Sequence, residues 1–122
     1  MPAQKYQPGI PTDILAAIAR KGVPPNYIRV YGFMYNHSRY VSDPGYRIVC
    51  FTEKYIARHL STSTRTVRRA THYLRTHYYI LPIWRGRPQP KKEKYYQSAY
   101  ELPYNMAHVI SWRIHKGRRP KD

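Results

Sequence analysis

The sequence predicts an α+β fold, a three-helix core with a small antiparallel sheet and flanking terminal helices, on three observations. Thr52 to Ile80, TEKYIARHLSTSTRTVRRATHYLRTHYYI, read as two short helices meeting at a tight turn and followed by a strand, a helix-turn-helix. In its second half Val67, Ala70, Thr71 and Leu74 recur at helical spacing, while Arg65, Arg68, Arg69, His72 and Thr76 project from the opposite face. Downstream, two β-rich runs flank a stretch of Gly, Pro and cations, the pattern of a β-hairpin with a basic tip.

Taken in order, residues 1–10 read as a loose arm rich in Pro and Gln. A short helix follows from about Asp13 to Lys21, with Thr12 as cap, Ile14, Ala17 and Ile18 as apolar stripe and Gly22 as stop. Pro24 and Pro25 restart the chain into a second helix that reaches about Ser38. It carries Ile28, Tyr31 and Tyr35 on one face and Val30 and Phe33 on another, so it is expected to be covered on two sides, with the first helix on its back. The turn Ser42–Gly45 leads into a strand, Tyr46 to Phe51, in which Cys50 reads as a small core residue. Ser63 is the natural cap of the basic helix, because its hydroxyl can accept from the amide of Arg65 or Thr66. The start of that helix, at Ser63 and Thr64, then offers its remaining amides to a phosphate.

Tyr78 to Trp84 has the composition of a strand, and Pro82 confines it to a sheet edge. Arg85 to Lys94 forms a loop, and the run from Tyr95 to Leu102 returns as the last strand. Asn105 caps a helix from Met106 to about Lys116, stopped by Gly117, with Met106, Val109, Ile110 and Ile114 as its docking stripe. Trp112 points away from that stripe, between His108 and His115. It is either a contact in a homodimer or the filling of a groove in its own monomer.

The segment FTEKYIARHLSTSTRTVRRATHYL is similar to the winged helix-turn-helix domains of phage and plasmid replication proteins and of small bacterial regulators. The matching positions are Thr52, Ile56, Ala57, Leu60, Ser63, Thr66, Val67, Ala70 and Leu74. The departures are Ser61 and Tyr78, where that family commonly has Gly, Thr62, where it has an apolar residue, and Thr71, where Leu is common. The resemblance covers about residues 25–102. It divides the chain into an N-terminal arm and short helix, 1–24, a winged helix-turn-helix domain, 25–102, and a C-terminal helix with a basic tail, 103–122. It implies a recognition helix carrying Ser63, Thr64, Arg65, Arg68, Arg69, His72 and Thr76 into the major groove of double-stranded DNA, and a wing carrying Arg85, Arg87, Lys91, Lys92 and Lys94. Arg85 to Pro88, RGRP, also resembles the core of an AT-hook, whose arginines lie in a narrow minor groove. As an AT-hook or as a solvated basic turn touching phosphates, it places Arg85 and Arg87 on DNA.

Charge points the same way. Against 6 Asp plus Glu stand 22 Lys plus Arg, a formal net charge of +16, which favours a polyanionic partner over an acidic small substrate. Arg118 and Arg119 in the tail add non-specific phosphate attraction. A lone Cys50 excludes an internal disulfide and a Cys-based zinc site and fits a cytoplasmic, nucleoid- or DNA-associated protein. No apolar run approaches the roughly 20 residues that span a bilayer, and no small-molecule ligand or cofactor is expected.

The 14 tyrosines raise the question of a nicking enzyme with a Tyr nucleophile, which also needs a metal held by a His-x-His cluster. The six histidines are scattered with no such pair, the acids are isolated, and no Gly-rich phosphate loop is present, so no catalytic or metal-binding residue is assigned. Tyr31, Tyr35 and Tyr79 are expected to fill the core with their hydroxyls reaching water, and Tyr95 and Tyr96 to lie on the wing. The expected function is sequence-specific DNA binding, as a small transcriptional regulator or a replication-origin-binding protein; RNA binding or nucleoprotein scaffolding through the same basic surface is the alternative.

Overall fold

The computed structural model describes residues 9–20, 22–41, 46–88 and 96–117. The elements run α1 (Thr12–Ile18), α2 (Pro25–Asn36), β1 (Arg39–Val41), β2 (Tyr46–Phe51), α3 (Glu53–His59), α4 (Thr64–Thr76), β3 (Leu81–Pro88), β4 (Tyr96–Leu102) and α5 (Met106–Ile114). The four strands form one antiparallel sheet in the order β1-β2-β4-β3. The fold is therefore α+β, as the sequence predicts. Its core gathers Ile14 and Ile18 of α1, Val30, Tyr31 and Met34 of α2, Ile56 of α3, Val67, Ala70 and Leu74 of α4, and Val49, Tyr100 and Leu102 of the sheet, all nearly solvent-free. Burying Val67 and Leu74 alone contributes about 1.5–3 kcal/mol each.

Local chemistry accounts for most element boundaries. Thr52 accepts from the Tyr55 amide at 3.1 Å and Ser63 from the Thr66 amide at 3.1 Å, so both helices of the central pair start on a side-chain cap. α3 ends in a Schellman motif: the Thr62 amide reaches the Ala57 carbonyl at 2.9 Å and the Ser61 amide reaches Arg58 at 3.3 Å. α4 and α5 end in the same way, on Tyr78 and Lys116. All three motifs require a left-handed residue, and Ser61, Tyr78 and Lys116 adopt φ of 54°, 63° and 54° without being glycine. Ser61 and Tyr78 are thus the two sites where the resembled pattern uses glycine and this chain does not.

Several sequence expectations need correction. Thr12 is the first helical residue of α1 and not its cap; Pro11 occupies the cap position and has no side-chain acceptor to offer. The helix stops at Ile18, and Gly22, at φ +90°, turns the chain beyond it. β1 has no signal in the sequence, because three residues become a strand only by pairing with β2. The Ser42–Gly45 turn lies outside the described residues. β3 begins at Leu81 because Tyr78 is spent on closing α4, and it runs on through Arg85 to Pro88, which the sequence assigns to a loop. Pro82 does sit on an edge strand, whose register shifts on either side of Trp84. Cys50 is exposed, since Val49 and Phe51 take the buried positions of β2.

The C-terminal helix is rotated relative to its predicted stripe. Val109 and Trp112 are buried, Trp112 to 1% exposure, while Ile110 and Ile114 are 47% and 69% exposed. Two anchors set that rotation. The Asp13 carboxylate accepts from the Met106 amide at 2.9 Å, and Arg113 donates to the His77 carbonyl at 3.1 Å while lying 5.5 Å from the Tyr79 ring. Between these anchors the face carrying Val109 and the Trp112 indole turns inward. Trp112 therefore fills a groove of its own chain and is not available as a homodimer contact. No helix among the described residues is long and apolar enough to cross a membrane.

The tyrosine expectation is also corrected at one position. Tyr31 is fully buried, and its hydroxyl has no hydrogen-bond partner among the described residues. Burial pushes the Tyr31 phenol far above the ordinary tyrosine range, and the nearby Tyr35 and Asp13 push the same way. Tyr35, Tyr73 and Tyr104 are raised as well, chiefly by desolvation.

Ser61→Gly relieves a left-handed non-glycine residue, so it should stabilise the fold by about 0.5–1 kcal/mol after the entropy cost of glycine, visible as a melting temperature higher by a few degrees. The raised tyrosines hold their protons more tightly folded than unfolded. Their stabilisation is therefore complete below the unfolded value of about pH 10 and is lost as pH rises above it. Alkaline titration should show cooperative unfolding coincident with tyrosinate absorbance, and Tyr31→Phe should move that midpoint to higher pH; an unmoved midpoint would exclude Tyr31 as the trigger.

Candidate nucleic-acid interface

α4 divides cleanly into an inner and an outer face. Val67, Ala70, Thr71 and Leu74 are buried, and the Thr71 hydroxyl satisfies itself on the Val67 carbonyl at 2.8 Å. Ser63, Thr64, Arg65, Arg68, Arg69, His72 and Thr76 are exposed, every one of the positions the sequence singles out on this helix. α2 and α3 both pack on α4, so the outer face is carried on a rigid backing.

The exposed residues are not equivalent. Ser63 spends its oxygen on the Thr66 amide, with a further contact to the Thr66 hydroxyl at 3.0 Å, so it serves the helix start. Arg68 is held by Glu53 of α3, with nitrogens at 3.0 and 3.1 Å from one carboxylate oxygen. His72 faces the Arg75 guanidinium at 3.0 Å, and the Thr76 hydroxyl donates to the His72 carbonyl at 2.6 Å. Among the described residues no hydrogen bond or ion pair occupies the Arg65 or Arg69 side chain in the way Glu53 occupies Arg68. Among the described residues Glu53 is the one carboxylate paired with this helix; Asp13 is engaged with α5, and Glu101 is buried in β4.

The outer face forms one wall of an open groove of about 770 Å³ lined by Arg65, Arg68, Arg69, His72 and Thr76 together with Tyr27, Tyr73 and His77. Five of these eight were legible in the sequence. Tyr73 and His77 continue the ridge that Arg65 and Arg69 begin at four-residue spacing, a signal that the sequence does carry. Tyr27 had none, because it comes from the first turn of α2 and meets α4 only through folding, its ring 5.2 Å from that of Tyr73. Arg29, also on α2, donates to the Leu60 carbonyl at 2.8 Å and so closes the end of α3 instead of facing a ligand.

The remaining sequence candidates are placed less closely. The backbone of Arg85 and Arg87 lies in β3, in the hairpin with β4. Lys91, Lys92 and Lys94, and Arg118 and Arg119, lie outside the described residues. Phe33, His37, Tyr55 and His59 cluster where α2 meets α3, the two imidazoles 5.6 Å apart between ring centroids. Among the described residues no group of three or more His, Cys, Asp or Glu is placed to hold a metal ion.

Comparison with protein-family models, with curated proteins and with solved structures finds no match for the chain.

The Glu53–Arg68 pair gives a direct check on this surface. Arg68 is 66% exposed and Glu53 34%, so the pair contributes little stability in water. Glu53→Gln should change unfolding free energy by less than about 0.5 kcal/mol, while releasing Arg68 and removing a negative charge from the comb. Elution from a heparin column should shift to higher salt; an unshifted elution would place the polyanion surface elsewhere.

Proposed function

We propose that this chain is a winged-helix protein that binds double-stranded DNA sequence-specifically, with α4 in the major groove and the β3–β4 hairpin against the neighbouring minor groove. The observation that carries the reading is the outer face of α4. Arg65, Arg69, His72 and Thr76 lie exposed along one groove, on a helix whose opposite face is locked into the core. An α-helix fits the B-DNA major groove, and guanidinium forks are matched to the N7 and O6 acceptors of guanine. The formal charge of +16 supports the same reading by supplying attraction to phosphates.

The order of elements supports the finer fold. α2, β1, β2, α3, α4 and the β3–β4 hairpin follow one another, with β4 paired between β2 and β3. Arg85 and Arg87 on that hairpin, with Lys91, Lys92 and Lys94 at its tip, are the residues proposed to meet the minor groove and its phosphates. Acting by occupancy of DNA or by recruitment of a partner, such a protein serves as a small regulator of transcription or as the origin-binding part of a replication system.

Selection of bound sequences from a random duplex pool tests the proposal. A defined consensus containing guanine is expected. Arg65→Ala and Arg69→Ala should each weaken binding to that consensus by about 1–3 kcal/mol and relax preference at one position. If both variants discriminate as sharply as the parent, α4 is not the reader.

A further inference from the structure

The groove on α4 changes character along its length. Arg65, Arg69, Tyr73 and His77 form one ridge at four-residue spacing, so guanidinium groups line its first half and rings its second. Tyr27 and Tyr73 face each other with ring centroids 5.2 Å apart, and the His77 ring lies 4.2 Å from Tyr73. Both tyrosines are half-buried, packed against the core cluster while lining the groove.

Phosphates and polar base edges are served by the arginines and gain little from ring faces. On the major-groove edge of a duplex the apolar group is the C5 methyl of thymine, which 5-methylcytosine shares. We infer that the Tyr27–Tyr73 wall reads the 5-methyl group of a pyrimidine in the bound duplex; this rests on the proposed seating of α4 in the major groove. Tyr73 follows Arg69 by four residues, about 6 Å along the helix axis at about 1.5 Å per residue. At about 3.4 Å per base pair that spacing sets the methyl roughly two base pairs from the guanine contacted by Arg69. Specificity is then split between two elements: hydrogen bonds from α4 choose the guanine, and an aromatic wall completed by α2 chooses the methylated pyrimidine.

The experiment exchanges single methyl groups on the DNA and repeats the exchange with two variants at Tyr27. In the selected site, each thymine within about three base pairs of the Arg69-dependent guanine is replaced singly by deoxyuridine, which removes only the methyl. One such exchange should weaken binding by about fourfold, the fold-change equivalent to about 0.8 kcal/mol for one methyl-sized group. Cytosine placed at that position should bind more tightly when methylated at C5, and in Tyr27→Ala the uracil exchange should cost nothing. If no exchange changes affinity although the protein still discriminates its site, the rings do not read the methyl and the DNA-binding reading stands. The inference also falls if Tyr27→Phe weakens binding as much as Tyr27→Ala while uracil is tolerated, because the hydroxyl would then be the contact. A protein that binds no duplex above random sequence overturns both.

Discussion

The packing of α4's inner face is the constraint on which the rest of the molecule depends. Val67, Ala70 and Leu74 are solvent-free, in one cluster with Ile56 of α3 and Val30 and Met34 of α2. A helix of 13 residues with three arginines on its outer face and few apolar residues would be marginal in water by itself. Tertiary burial supplies what the isolated helix lacks, and the same burial fixes which way Arg65, Arg69 and His72 point. Stability and presentation of the basic comb are consequences of one apolar stripe.

Around that stripe the chain places its polar chemistry at the ends of helices. Thr52 and Ser63 cap α3 and α4, Asp13 and Asn105 cap α5 from two different parts of the chain, and Arg29 closes the end of α3. Each satisfies a backbone group that would otherwise face the interior or compete for water. Acids are few, and those among the described residues are engaged or buried: Asp13 on α5, Glu53 on Arg68, Glu101 inside β4. Among the described residues positive charge on the surface of α4 is therefore little compensated.

Tyrosine takes several distinct parts in this architecture. Tyr31 is a core filler whose hydroxyl is carried into the interior, Phe51 and Tyr100 stack in the sheet at 5.5 Å, and Tyr27 with Tyr73 walls the groove. Arg47 lies 5.3 Å from the Tyr35 ring and Arg113 5.5 Å from that of Tyr79, so some of the cationic excess is absorbed by ring faces. A residue that buries a large apolar body and still tolerates water at its tip lets a short, highly charged chain enlarge a core whose other members are mostly aliphatic.

The sequence by itself determined the helix pair, its caps, the inner and outer faces of α4 and the edge position of Pro82, because these depend on periodicity, on hydroxyls one turn from an amide and on a missing N–H. It also carried the ridge from Arg65 to His77, although the polar residues on that ridge drew attention away from the rings. Only the tertiary structure decided the rest. β1 exists because β2 is beside it, and Cys50 faces outward because Val49 and Phe51 do not. α5 is rotated to bury Trp112 because Asp13 and Arg113, anchored to α1 and to the end of α4, hold it that way. Tyr27 joins the groove because α2 crosses α4 at that turn. For α5 and for Tyr27 the deciding contact joins residues far apart in the chain, and no local spacing encodes which distant partner will be there.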